Sequence, residues 1–304
     1  MRRKEQPAAK INSVSEIHRL LHLPPPKNPH ITLVDHSMAT NDQPYEAHAL
    51  VLNFYQICIK RSFKGQMRYG RNYYDFDHGT MTFSAPNQVI SVDPGHERNR
   101  DGWSLMFHPD LIRNYALGKN IKNYGFFSYE ANEALHLSDE EDKLIDTLVK
   151  NIENEYQSRI DHYSADVIVS NLELLLNYCN RFYNRQFVTR KTANNDLLTA
   201  FERTLAQYFE EGSESVLPTV HGMAKALNVS PGYLSDMLRA VTGQNTQQHI
   251  HSKLMDRAKE ILATSNLTVS EIAFLLGFEY PQSFSKFFKN KTNMSPLEYR
   301  QSYN

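Results

Sequence analysis

Read for hydrophobic spacing alone, the chain changes period along its length. From Ile31 to about Phe107 it shows short runs rich in β-branched and aromatic residues: ITLV, ALVLNFYQICIKR, GQMRYG, NYYDF, GTMTFSA, QVISV and WSLMF. Asn-Asp, Lys-Gly, Asp-His-Gly, Ala-Pro-Asn and Asp-Pro-Gly stand between them. Short runs bounded by turn formers predict strands, and regularly spaced strands predict a sandwich or small barrel of the jelly-roll kind. From Ser138 the period becomes helical. Ser138 and Glu141 form a capping box ahead of a stripe at Leu144, Ile145, Leu148, Ile152 and Tyr156. A second helix, about His162 to Phe187, carries Ile168, Leu172, Leu175, Cys179 and Phe182 in alternating steps of four and three. That is the seam of coiled-coil-like packing, and it could equally cover the β region.

The most informative stretch is Thr268 to Arg300. Thr268 and Glu271 make a capping box, Val269, Ile272, Ala273 and Leu276 share a helical face, and Gly277 permits a sharp turn. A second helix opens with Pro281 in its first turn and turns Phe284, Phe287 and Phe288 inward, leaving Gln282, Ser283, Ser285, Lys286 and Lys289 outside. Two short helices about a Gly turn read as a helix-turn-helix. The unit occurs twice. Val220, Met223, Ala224, Leu227 and Val229 recur 49 residues later as Val269, Ile272, Ala273, Leu276 and Phe278. Leu234, Met237 and Leu238 match Phe284, Phe287 and Phe288 at an offset of 50. Ser230-Pro231 caps the second helix of the first copy. Between the copies, Ile250, Leu254, Ala258, Ile261 and Leu262 define one bridging helix over Thr246 to Ser265.

The duplicated motif, its bridge and the ending Pro296–Tyr299–Arg300 resemble the DNA-binding domain of AraC-type transcription regulators. Lys253-Leu254 with Ala258, Ile272-Ala273 with Gly277-Phe278, and Phe284 with Phe288-Lys289 carry the match over roughly Thr219 to Arg300. The sequence departs from the pattern at Asp236, where a basic or amide side chain is commoner, at Tyr280-Pro281, and at Asn293, where a Gly is usual. The β region resembles the cupin-like sensor domain of the same regulators, GTMTFSAPNQ and GWSLMFHPDLI most of all. The implied fold is α+β: an N-terminal cupin-like barrel with following helices, then an all-α domain of two helix-turn-helix units joined by a long helix. The divisions drawn are an arm over 1–30, the β domain over 31–135, a helical packing or dimerisation region over 136–188, a linker over 189–196 and the DNA-binding domain over 197–304. The linker reading rests on the polar, uncapped stretch RQFVTRKTANN, and the arm on LPPPKNPH, which cannot continue a helix.

Composition narrows the chemistry. At 304 residues and 40% hydrophobic content the chain holds at least two cores. Its net charge is −1, and from Thr219 onward nine Lys and Arg face six acids, so DNA binding must rest on local placement of charge. Cys58 and Cys179 lack metal spacing and predict a reducing compartment. The start MRRKEQPAAK is not followed by an apolar run, and a cytoplasmic protein without a membrane span is expected. The ten histidines before residue 200 include no His-x-His pair, and His249 and His251 lie about 200° apart on a helix, which argues against a metal cupin. No GxSxG, Walker or zinc-deaminase signature appears, so neither an enzyme nor a cofactor is expected.

The resemblance implies major-groove contact by Pro281, Gln282, Ser283, Ser285 and Lys286, with Lys289 on phosphate. Gln can pair with adenine, and Lys can donate to guanine O6 and N7. On the first copy the corresponding face is Gly232, Tyr233, Ser235, Asp236 and Arg239. Asp236 either accepts from cytosine N4 or repels phosphate. The expected partners are double-stranded DNA, a small-molecule effector in the barrel, RNA polymerase and a second copy of the chain. A role as activator stands beside them, while the sequence itself leaves open whether transcription rises or falls. The rival readings are a constitutive or protein-regulated DNA binder, and a cupin enzyme with a DNA-binding tail.

Overall fold

The computed structural model describes residues 9–38, 49–61, 67–69, 72–74, 79–91, 101–130, 133–159, 161–189, 191–209 and 217–302. The chain divides into two compact units, Met1–Gln186 and Phe187–Asn304. Among the described residues no helix is long and apolar enough to cross a membrane.

The first unit contains strands β1 (Ala9–Ile11), β2 (Ile31–Asp35), β3 (Ala49–Leu52), β4 (Tyr55–Lys60), β5 (Met67–Tyr69), β6 (Asn72–Tyr74), β7 (Thr80–Ser84), β8 (Val89–Ser91), β9 (Gly102–Phe107) and β10 (Leu135–His136). Its helices are α1 (Val14–Leu20), α2 (Pro109–Ile112), α3 (Ala116–Asn120), α4 (Asp139–Gln157) and α5 (Ser164–Thr189), whose last turn runs past the division. Five antiparallel strands pair in the order β10-β7-β4-β9-β2, and three more in the order β1-β3-β8, with β1 parallel to β3. β5 and β6 form a separate ribbon. The run at 49–61 is two strands rather than one, broken at Asn53 and Phe54.

Because side chains alternate along a strand, the five-stranded sheet has two unlike faces. Ile57 stands opposite Phe83 on one neighbour and Leu105 on the other, Ile59 opposite Met81 and Trp103, and Tyr55 opposite Phe107. Ile57, Ile59, Met81, Leu105 and Phe107 on this face are fully buried, as are Ile145 and Ile152 on α4. Phe83 and Tyr55 pack onto Phe126 and Phe127 from the segment after α3. Arg61, just past the end of the central strand β4, ties that end of the sheet to α4 by donating to Asp142 and Asp146, and the Trp103 indole N–H donates to Asp146 at 3.0 Å. The other face brings Cys58 opposite Thr82 and Ser104, and Gln56 opposite Ser84 and Met106. Gln56 and His36 both reach the Ser104 hydroxyl. At one end of this polar face Val34 and Met106 join an apolar cluster with Ile11, Val14, Ile17, Leu52 and Phe54.

One expectation changes here. Residues 9–30 are built into the first unit rather than standing off as an arm. β1 extends the three-stranded sheet, Val14 and Ile17 are buried, and the His18 ring bridges the Pro24 carbonyl and the Thr32 hydroxyl. A few well-placed apolar residues anchor a segment that its Pro run made look detached. The seam of α5 is consumed internally: Ile168, Leu172, Leu175 and Cys179 are at most 1% exposed.

The second unit is helical: α6 (Lys191–Gln207), α7 (Val220–Ala226), α8 (Pro231–Thr242), α9 (Thr246–Thr264), α10 (Val269–Leu275), α11 (Pro281–Thr292) and α12 (Pro296–Gln301). The stretch read as a linker is helical on either side of Arg190, which lies outside the described residues. Its polarity does not mean solvation. Asn194 is buried, and its side-chain amide donates to the Phe187 carbonyl.

Candidate nucleic-acid interface

Each helix-turn-helix is held by its own apolar cluster. In the second, Ile272, Ala273 and Leu276 of the α10 turn meet Phe284 and Phe288 of α11 against Leu254, Ala258 and Ile261 of α9. In the first, Met223 and Ala224 of α7, Leu234, Met237 and Leu238 of α8 and Ile250 of α9 are fully buried.

The local bonds repeat as well. Thr242 donates its hydroxyl to the Leu238 carbonyl at the end of α8, and Thr292 does the same to Phe288 at the end of α11. Each then accepts from the backbone N–H two residues on, at 3.2 Å in both cases. Left-handed residues close both helices, Gly243 at φ 79° and Asn293 at φ 60°, as Gly and Asn both tolerate. A capping box then opens the next helix, Asn245 with Gln248 for α9 and Ser295 with Glu298 for α12. The duplication therefore spans three helices, with the first turns of α9 as the counterpart of α12.

The two outer faces are not alike. On α11, Gln282, Ser283, Lys286 and Lys289 are exposed, and none makes a side-chain hydrogen bond or ion pair among the described residues. Pro281 and Ser285 are half-buried beside them, and Pro281 occupies the first helical position. On α8 the corresponding groups are engaged. Asp236 accepts from Arg239 at 3.0 Å, and the Ser235 and Thr246 hydroxyls lie 3.0 Å apart. Tyr233, expected to face DNA, is only 8% exposed and sets its ring edge to face against Phe187 at 5.2 Å. A ring so packed cannot also lie on a reading surface. Sequence spacing put Tyr233 at the right turn of the helix but gave no sign of Phe187, 46 residues earlier.

Comparisons with known proteins fit this geometry. A family model described as a helix-turn-helix domain matches residues 223–302. The regulatory protein SoxS of Salmonella typhimurium is 30% identical over 98 residues, which are 32% of this chain and 91% of SoxS. The chain belongs to the AraC-type transcription regulators. YijO of Escherichia coli, an uncharacterized helix-turn-helix regulator, is 23% identical over 234 residues, covering 75% of this chain and 77% of YijO. The chain spans about a third or less of several other curated relatives, including YisR and YobQ of Bacillus subtilis. Among solved structures, the C-terminal domain of the response regulator yesN from Fusobacterium nucleatum is 31% identical, with a TM-score of 0.30, over 33% of this chain and 96% of that one.

Within this AraC-type DNA-binding domain, Arg300 has a plain structural role. Arg300 donates to the Leu262 and Leu267 carbonyls at 3.1 and 2.7 Å, fastening α12 across the end of α9. It orders the domain and is not part of the outer face of α11.

Proposed function

We propose that this AraC-type regulator reads an asymmetric DNA site with two unequal helices. α11 supplies most of the base recognition, through Gln282 and Lys286 with Ser283 and Ser285 beside them, and Lys289 holds phosphate. α8 contributes mainly Arg239, its charge offset by Asp236. The observation that carries this reading is the exposed, unengaged polar face of α11. The two helices would occupy successive major-groove segments on one side of the duplex, with phosphate contacts setting register.

The finer parts of the proposal rest on the first unit. The buried or half-buried Gln56, Cys58, Thr82, Ser84 and Ser104 on one sheet face suit a small polar effector better than a self-filled apolar interior. For a homodimer, the seam of α5 is already used, but Tyr163 just before it and Val167 and Leu174 on it stand exposed at steps of four and seven. A DNA-bound dimer of this kind would act on RNA polymerase, as an activator does, in the cytoplasm.

The test is selection of the full-length protein on a randomised duplex pool, then affinity for the winning site. Gln282→Ala is expected to relax preference at one base pair, and Lys286→Ala to weaken binding, each by about 1–3 kcal/mol. Failure to enrich any sequence, or indifference to both substitutions, would sink the assignment.

A further inference from the structure

Away from the reading face, an open cleft of about 340 Å³ runs along one flank of α9. Gln244, Gln248, His251 and Lys259 line one side, and Lys291 and Thr292 at the end of α11 line the other. It is not an extension of the DNA surface. Lys291 follows Gln282 by nine residues and Lys286 by five, which sets it about 180° and about 140° round the helix from them.

The cleft gathers more positive charge than negative. Neither Lys259 nor Lys291 forms an ion pair among the described residues. Burial lowers the pKa of His251, and the nearby Lys291 ammonium lowers it further, so the ring stays neutral near pH 7 and the positive charge facing the cleft is that of Lys259 and Lys291. Asp256, also on the wall, is the one carboxylate among the described lining residues. Ammonium groups, side-chain amides and the Ser252 hydroxyl make a donor-rich concavity, the kind that charge-assisted hydrogen bonds to an oxyanion would fill. Its position is equally specific. Gln244 follows the recognition helix of the first copy, Thr292 ends that of the second, and α9 joins them.

We propose that this cleft binds a small multivalent anion, carrying phosphate or carboxylate groups, which bridges the two helix-turn-helix units and braces the angle between their recognition helices. Occupancy tunes DNA affinity from within the DNA-binding domain, independently of any effector in the β unit.

The experiment is calorimetric titration of the full-length protein with inorganic pyrophosphate and, separately, with citrate, at ionic strength held constant with chloride. The Lys259→Gln/Lys291→Gln double variant is run alongside, with its thermal unfolding measured to show that it folds. Saturable one-to-one binding of either probe is expected, weakened roughly tenfold or more in the variant, since each lost charge-assisted bond is worth that much. Pyrophosphate binding more tightly assigns phosphate groups, and citrate binding more tightly assigns carboxylates. DNA affinity without added anion should stay unchanged in the variant. Absence of saturable binding, or binding unaffected by the double substitution, overturns the proposal. So does a variant that loses DNA affinity in chloride alone with a shallower salt dependence, because the lysines would then be phosphate contacts.

Discussion

The two helix-turn-helix units share a scaffold and differ in what they display. Their apolar positions correspond, their recognition helices end in the same Thr-centred bonds, and both are followed by a capping box. On α11 the outward polar groups are unengaged among the described residues, whereas on α8 Asp236 holds Arg239, Ser235 meets Thr246, and Tyr233 is buried against Phe187. The apolar positions that build the fold correspond between the two copies, whereas the outward polar positions do not. A duplicated domain can thus keep two equally sound frames while presenting two unlike polar faces.

The strongest way to break this comparison is through the cores. Phe284→Ala should cost about 3–5 kcal/mol of stability and Leu234→Ala about 2–5 kcal/mol, since both side chains are fully buried. Denaturant unfolding of the two variants checks this. A Leu234→Ala protein as stable as its parent would mean that the first unit is not a packed equal of the second.

A smaller effect sharpens the contrast on the outer faces. Asp236→Asn removes a carboxylate and releases Arg239 from its 3.0 Å ion pair. DNA affinity should rise by roughly 0.5–1 kcal/mol, and the salt dependence should steepen by about 0.9, the slope of one added phosphate contact. Weaker binding to the selected site would instead show that Asp236 accepts a hydrogen bond from a base.

The smallest expected difference depends on pH. Glu271 and Glu298 accept from the backbone N–H groups of Thr268 and Ser295, which hold both carboxyls below their ordinary pKa of 4.5. In the first copy their places are taken by Gly222 and Gln248, which do not titrate. A depressed carboxyl contributes stability that is fully present above the unfolded pKa and is lost as pH falls through the folded one. Below about pH 4.5, therefore, the starts of α10 and α12 should fray while those of α7 and α9 hold. Amide exchange at Glu271 and Glu298 against Gly222 and Gln248 reads this directly. Equal fraying on both sides would remove the distinction.

Much of the second unit was legible because its signals are local. Apolar spacing, the Thr268 and Ser230 caps, and Pro281 at a first helical position all act within a turn or two of chain. Asn293 in place of Gly was readable for the same reason, since its left-handed φ of 60° suits the residue itself. The misreadings came where one distant partner decides the outcome. Tyr233 is buried by Phe187, the supposed linker is fastened by Asn194, and the supposed arm is drawn in by β3 and by the apolar cluster around Phe54. The polar sheet face was equally hidden, because Gln56, Cys58, Thr82 and Ser104 become neighbours only through strand register.

The bridging helix α9 belongs to both copies at once: its first turns stand where α12 stands in the second, and its remainder forms the floor of the second core. Nineteen residues of continuous helix make it a ruler about 28 Å long. Adding or deleting one residue would swing everything beyond it through about 100°. On the proposed reading, altering α11 residue by residue would exchange the letters that are read, but the gap between the two words is written into a rod that no point substitution lengthens.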